Sequence, residues 1–173
     1  MRSVGDPAAT ATYGARYVFA PVDTNELDLT TRFDLAVTRN LTVQLYLQPF
    51  VARGDYDGFF ELARPASLDY LEYGVDGGSV SFDAATNSYT IDPDGAGIPF
   101  SFRNPDFNER SLRGNAVVRW EFRPGSTAYF VWSQNRSGRV TDGEFDPGRD
   151  LDALAGLPAD DVFMIKVSYW LGL

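Results

Sequence analysis

Histidine and cysteine are both absent from the 173 residues. The chemistry available to this chain therefore rests on carboxylates, arginines, hydroxyls and amides. Imidazole acid–base catalysis, thiolate nucleophiles, disulfides and the usual zinc ligands are excluded. Carboxylates are the richest set: Asp55/Asp57, Asp92/Asp94, Asp106, and the series Asp142, Glu144, Asp146, Asp150. Closely spaced oxygen ligands in Gly- and Pro-rich loops suit calcium, which makes Asp92, Asp94, Asp142, Asp146 and Asp150 the candidate metal ligands. No complete EF-hand pattern is present, and DPDG at 92–95 is equally an ordinary turn. Divalent ions bridging to lipopolysaccharide are a related expectation. Paired carboxylates are also the apparatus of glycoside hydrolysis, so a surface-loop hydrolase is one reading, although any acidic loop supplies such pairs. P-loop, GxGxxG and nucleophile-elbow patterns are missing. A net charge of −9 and a pI of about 4.4 argue against a nucleic-acid partner.

A second polar set is spaced differently. Arg32, Asp34, Gln44, Arg113, Arg119, Glu121 and Lys166 each fall on the polar side of an alternating stretch. The pattern is clearest over 111–123. Leu112, Gly114, Ala116, Val118, Trp120 and Phe122 fall on one side, and Arg113, Asn115, Val117, Arg119, Glu121 and Arg123 on the other. Period 2 makes this a strand with one apolar and one polar face. The same alternation predicts strands over 12–20, 26–38, 41–51, 126–136 and 161–173. At about 3.3 Å per residue, a strand of 13 residues such as 111–123 spans about 40 Å. That is longer than soluble domains need and enough to cross a bilayer at a tilt. No run of 18 apolar residues exists, and barrels leave none because only alternate residues face lipid.

Turns fix the expected register. A three-residue loop Thr38-Arg39-Asn40 would pair Val37 with Leu41, Leu35 with Val43 and Phe33 with Leu45, with Asn40 left-handed in a type I turn plus bulge. Pro124-Gly125 is the type II turn signature. A two-residue loop there would oppose Trp120 to Tyr129 and Val118 to Val131. Phe130 and Trp132 would then stand beside Arg119 and Arg113, a cation–π arrangement. Between the short turns lie two acidic stretches, 54–109 and 137–160. The first is too long for a plain connection and reads as a loop subdomain, with a small hairpin at 79–82 and 88–92. Residues 1–11 read as a frayed lead-in.

Short turns at one end and long loops at the other are the outer-membrane barrel pattern. The expected fold is all-β: an antiparallel up-and-down meander of about six long strands, the C-terminal part of a transmembrane barrel with long acidic extracellular loops. The seven polar residues would line its lumen, as a ligand path or as a charge network that stiffens the interior. Trp120, Tyr129, Tyr169 and Trp170 fall near the expected periplasmic ends, where aromatic girdles sit. Apolar residues at every second position back from Leu173 resemble a barrel-assembly signal. The opening residues MRSVGDPAATATYGARY carry no apolar signal-peptide core. With six strands where the smallest barrels have eight, this leads to the expectation of a fragment whose missing strands precede Met1.

Several segments resemble a family of bacterial outer-membrane proteins that join an N-terminal family-nine-type carbohydrate-binding module to a C-terminal barrel domain of unknown function. They are Gln48–Val51, ELARP at 61–65, IDPDGAG at 91–97, NPDFN at 104–108, the 111–134 run and DVFMIKVSYWLGL at 161–173. The resemblance covers about residues 25–173. It implies an outer-membrane location and transfers no catalytic residue. It transfers no sugar site either, because the module is absent from this chain. The leading expectation is a non-enzymatic barrel segment for uptake or binding of glycans or other surface ligands. Its partners would be outer-membrane lipid, lipopolysaccharide, the barrel assembly machinery and the rest of its own chain. A soluble lipocalin-like barrel is the alternative. The two differ in which face is outside. Leu27, Leu35, Val43, Leu45, Val118 and Ile165 face lipid in the first and a core in the second.

Overall fold

A computed structural model describes residues 2–95 and 98–172. Its elements in chain order are β1 (Arg2–Gly5), a 3-10 turn (Thr10–Thr12), β2 (Ala15–Phe19), β3 (Val22–Asp28), β4 (Thr31–Thr38), β5 (Leu41–Tyr56), β6 (Phe60–Leu62), β7 (Tyr70–Glu72), β8 (Ser79–Asp83), β9 (Ser88–Asp92), β10 (Phe100–Arg103), β11 (Phe107–Arg123), β12 (Ser126–Val140), α1 (Pro147–Gly156) and β13 (Ala159–Ser168). The chain is all-β with antiparallel sheets, and they divide between two compact units. One comprises Met1–Thr24 and Gly54–Asp106, the other Asn25–Arg53 and Phe107–Leu173.

The first unit holds two small sheets, ordered β1-β2-β6-β7 and β10-β9-β8. Val18, Phe59, Tyr73, Ile91 and Phe102 form its core, with Ala20, Val80, Tyr89 and Phe100 packed against it. Phe59 meets Tyr89 and Phe102 edge-on, at centroid distances of 4.8 and 5.0 Å, the geometry that aligns ring edges with π faces. The β8–β9 hairpin follows the expected span. Asp83 caps its turn through Ala85 N and Thr86 Oγ1, and Asn87 takes a left-handed φ of 49°.

Two expectations fail in this unit. The strand expected over 12–20 is shorter, Ala15–Phe19, and belongs to the small β1-β2-β6-β7 sheet rather than to a long meander. The lead-in is ordered: Arg2–Gly5 pairs with β2, Arg2 opposite Val18. Alternation alone cannot distinguish a membrane-length strand from a short one that pairs far away in sequence.

The second unit is one sheet, ordered β13-β12-β11-β5-β3, with β4 also on β5. The strand expected over 26–38 is broken at Leu29-Thr30 into β3 and β4. Its remaining members are longer than expected: 16 residues in β5, 17 in β11 and 15 in β12. β13 ends at Ser168, before the expected 173. Among the described residues the sheet has two unpaired edges, one on β13 and one formed by β3 and β4, and no closed barrel. The loop expected over 137–160 gives its first residues to β12 and its middle to α1. Asp146 caps that helix by accepting from Arg149 N at 3.0 Å, with Pro147 in the first turn, as favoured helix starts do. Leu173, anchor of the expected assembly signal, lies outside the described residues, as do residues 96 and 97 of the IDPDGAG segment.

Candidate functional site

Cross-strand pairing decides which side chains share a face of the second unit's sheet. On β4–β5, Phe33 faces Leu45 and Leu35 faces Val43, as expected from sequence. Near the turn the expectation fails. Thr38, not Val37, faces Leu41, because the ladder shifts register between Ala36 and Thr38. Arg39-Asn40 is a two-residue turn, and Asn40 is not among the positive-φ residues. The extra residue in the strand restores the parity that a two-residue turn alone would break.

The same device corrects the second hairpin. Its register shifts between Glu121 and Arg123, so Trp120 faces Ala128, Val118 faces Phe130 and Ala116 faces Trp132. Phe130 and Trp132 therefore share the face of Val118, not that of Arg119 and Arg113 as expected. Tyr129 takes the place opposite Arg119. On β13, Ile165 faces Phe130, Phe163 faces Trp132 and Lys166 faces Tyr129. A Cβ at Gly114 would lie 3.4 Å from Leu47 Cδ2, so β5 and β11 present Leu47 and Gly114 to one side.

One face is consequently apolar from β4 to β13 at the levels of Phe33, Leu35, Val43, Leu45, Ala116, Val118, Phe130, Trp132, Phe163, Ile165 and Val167; beyond Trp132 it carries Gln134, Arg136 and Asp161. None of Leu27, Leu35, Val43, Leu45, Val118 and Ile165 is buried. Phe33 is 53% exposed, Ile165 68% and Phe163 76%. At the turn end an aromatic group gathers. Phe122 lies 5.8 Å from Trp120 and 6.5 Å from Tyr169. Arg123 lies over the Tyr169 ring and bonds its hydroxyl. Trp170 covers the Pro124-Gly125 turn, and its backbone N–H donates to Ser126 Oγ at 3.0 Å.

The opposite face gathers all seven polar residues singled out from sequence. Gln44 Nε2 donates to Asp34 Oδ1 at 2.8 Å, and Arg119 lies 3.6 Å from Glu121. The Arg32 guanidinium sits over the Tyr46 ring at 5.6 Å, while the Tyr46 hydroxyl donates to Gln48 Oε1. Gln48 Nε2 in turn reaches Asp28 Oδ1 at 3.2 Å. Arg113 faces Asn135, and Lys166 faces Tyr129. The face is not uniformly polar: Val117, Val131 and Met164 form an apolar row across it.

The five candidate calcium ligands are not brought together. Asp92 and Asp94 belong to the first unit and the other three to the second. Asp92 Oδ1 accepts from Gly95 N, and Asp94 pairs with Arg16 at 3.4 Å. Asp142 pairs with Arg149 at 3.1 Å, and Asp146 caps α1. Asp150 is fully buried, accepting from Asn108 Nδ2 at 2.8 Å and facing Arg110 and Arg149 at 3.2 Å each. Among the described residues no group of three or more acids is placed to hold a metal ion. Asp106, also weighed as an acid site, accepts from Tyr56 N at 2.8 Å.

A buried ion network in the first unit had no sequence signal. Arg16 donates to Asp6 at 2.5 Å and to Glu61 at 2.6 Å, and all three side chains are about nine-tenths buried. The Arg16 hydrogen bond, with one from Ala8 N, holds the Asp6 carboxyl below its usual range. Burial works against the Arg16 charge, but the two carboxylates outweigh it and raise its pKa. Burial, then the Glu61 charge, pushes the Tyr73 phenol up. Pairs of this kind are made by residues far apart in sequence, here ten and 45 positions.

No family model, curated protein or solved structure matches this chain. What the sheet can do therefore follows from its own two faces. It can separate an apolar phase from a polar one, and its polar side can bind or conduct through hydrogen bonds and mixed charges.

Proposed function

We infer that the second unit is part of the wall of a transmembrane β-barrel in a bacterial outer membrane, with a non-enzymatic role in uptake or binding of surface ligands such as glycans. The observation that carries this reading is the apolar face running from β4 to β13, exposed at Leu35 and Ile165 and only half-buried at Leu27, Val43, Leu45 and Val118. The apolar run from Leu112 to Phe122 on β11 is ten steps, about 33 Å, or about 25 Å at a 40° tilt. On β12 and β13 the apolar part of the same face is shorter, because Arg136, Gln134 and Asp161 stand at the Leu112 and Gly114 levels. The aromatic group at the Pro124-Gly125 turn suits a membrane interface. On this reading Arg32, Asp34, Gln44, Arg113, Arg119, Glu121 and Lys166 line the lumen. The first unit, with its own core and buried ion network, belongs to the aqueous phase. No catalytic role is assigned, because Asp142, Asp146 and Asp150 are engaged by arginine or backbone donors.

The absence of cysteine makes the test direct. Single variants Ile165→Cys, Phe163→Cys, Gln44→Cys and Leu68→Cys are made in the complete protein in its native membrane. A membrane-impermeant maleimide should label Leu68→Cys at once and Gln44→Cys through the lumen. Ile165→Cys and Phe163→Cys should resist it, and a fluorophore attached there should be quenched by lipid-borne nitroxide. Labelling of Ile165→Cys as fast as Leu68→Cys would refute the membrane assignment.

A further inference from the structure

The first unit contains a cavity of about 300 Å³ whose wall and rim differ in chemistry. Val18, Phe59 and Phe102, all buried, supply an apolar and aromatic wall. Arg2, Arg103 and Tyr56 also line it. The Arg2 guanidinium lies over the Phe102 ring, 5.6 Å from its centroid. This contrasts with the other arginines of acidic surroundings: Arg16, Arg64, Arg110, Arg139 and Arg149 all pair with carboxylates. Neither Arg2 nor Arg103 has a carboxylate partner among the described residues, although the chain carries 24 acids against 15 basic residues. The Tyr56 hydroxyl likewise has no hydrogen-bond partner among them.

Two arginines without carboxylate partners, one of them stacked on Phe102, and a tyrosine line an apolar cavity of ligand size. Mostly apolar walls with a few placed polar groups characterise small-molecule sites, and guanidinium forks match carboxylates bidentately. We propose that this cavity binds a small organic anion, a carboxylate on an aromatic or alicyclic body. The body fills the wall of Val18, Phe59 and Phe102, and the carboxylate takes N–H bonds from Arg2 and Arg103 and the O–H of Tyr56. The site lies wholly within the first unit and does not depend on the membrane assignment of the second.

Benzoate, benzyl alcohol and inorganic phosphate are the probes, titrated against the complete protein by calorimetry and by saturation-transfer NMR. Benzoate should bind with a Kd on the order of 1 mM or tighter. Benzyl alcohol, without the charge, should bind at least about tenfold more weakly, and phosphate, without the apolar body, likewise. Arg103→Gln and Arg2→Gln should each weaken benzoate about tenfold, with the near-ultraviolet circular dichroism of the unit unchanged. Arg103→Lys should weaken it less, and Arg64→Gln not at all. Phosphate binding as tightly as benzoate, or an Arg2→Gln/Arg103→Gln double variant that binds benzoate normally, would overturn the assignment.

Discussion

The register shift at Phe122 makes a prediction opposite to that of an unbulged hairpin, and adjacent positions of β12 test it. Phe130 stands between Val118 on β11 and Ile165 on β13, on the face assigned to lipid. Phe130→Arg puts a charge there, at a cost of about 2–4 kcal/mol near the bilayer midplane. Loss of two aromatic–aliphatic cross-strand pairs adds roughly 0.2–1 kcal/mol each. The expected destabilisation is therefore about 2.5–6 kcal/mol. Tyr129 stands between Arg119 and Lys166. Tyr129→Glu places an acid between two cations, a gain of about 0.2–1 kcal/mol per opposite-charge pair that offsets the lost ring area. Its net effect should stay within about 1 kcal/mol. Urea unfolding of the complete protein in phospholipid vesicles, followed by tryptophan fluorescence, measures both. If Tyr129→Glu costs more than Phe130→Arg, the bulge is misplaced and the faces are exchanged. If Phe130→Arg costs nothing, that face does not meet lipid.

Four further outcomes follow from individual contacts. Asp6 has a lowered folded pKa, so its stabilisation is fully present above the unfolded value of 3.8 and is lost as pH falls through the folded value. Asp6→Asn should accordingly destabilise the first unit by about 1.5–3 kcal/mol at pH 7, and the difference should shrink as pH falls below 3.8, read from urea midpoints across that range. Gly78 has φ +65°, and a Cβ there would meet Asp92 O at 2.2 Å. Gly78→Ala should therefore cost about 2–5 kcal/mol from left-handed strain and overpacking together, measured as a drop in the unit's thermal midpoint. Asp150→Ala leaves Arg110 and Asn108 without their buried acceptor and should cost about 3–5 kcal/mol, visible as early loss of helix signal in circular dichroism. Because arginine and backbone donors already engage the acidic loops, millimolar calcium should leave the melting temperature unchanged. A rise of several degrees that chelator reverses would show a calcium site.

Period-2 alternation made the sheet of the second unit legible, because side-chain direction in a strand is fixed by residue parity. Leu35 opposite Val43 could be derived by requiring apolar residues to share a face across the turn. Bulges at Val37 and Phe122 could not, since any residue next to a tight turn can be the extra one, and each reverses the faces beyond it. α1 carried readable marks, Asp146 as cap and Pro147 in the first turn, but the acidic composition of 137–160 obscured them. Of the first unit, the 54–109 stretch was legible as a loop subdomain with one hairpin, whereas residues 1–11 read as frayed although Arg2–Gly5 pairs with β2. The unit's sheet of β1, β2, β6 and β7 was not legible, because Arg2–Val18 and Val18–Glu61 are pairings that local pattern does not encode. The Arg16 network stayed hidden for the same reason. The polar face was the most readable part of the candidate site: seven residues chosen by spacing share one side of the sheet.

The two bare edges connect the lipid assignment to closure. β13 exposes all ten of its residues and β4 all eight, and each pairs on one side only among the described residues. In an antiparallel edge strand about half the residues point N–H and C=O groups away from the sheet. For β13 that is about five residues. In hydrocarbon each unsatisfied group costs several kcal/mol, so a bare edge of this length cannot lie in a bilayer. In water, a long edge rich in Val, Ile and Phe invites aggregation. Joining β13 directly to β4 would make a barrel with fewer strands than the eight of the smallest known. A lipid-facing sheet thus requires further strands between β13 and the β3–β4 edge. Residues 1–173 reconstituted alone in vesicles should give no protease-resistant, heat-modifiable monomer. The same residues within a complete barrel should give one. A stable monomeric insertion of 1–173 alone would show that the edges are satisfied in some other way, and the lipid assignment of the apolar face would then need a different basis.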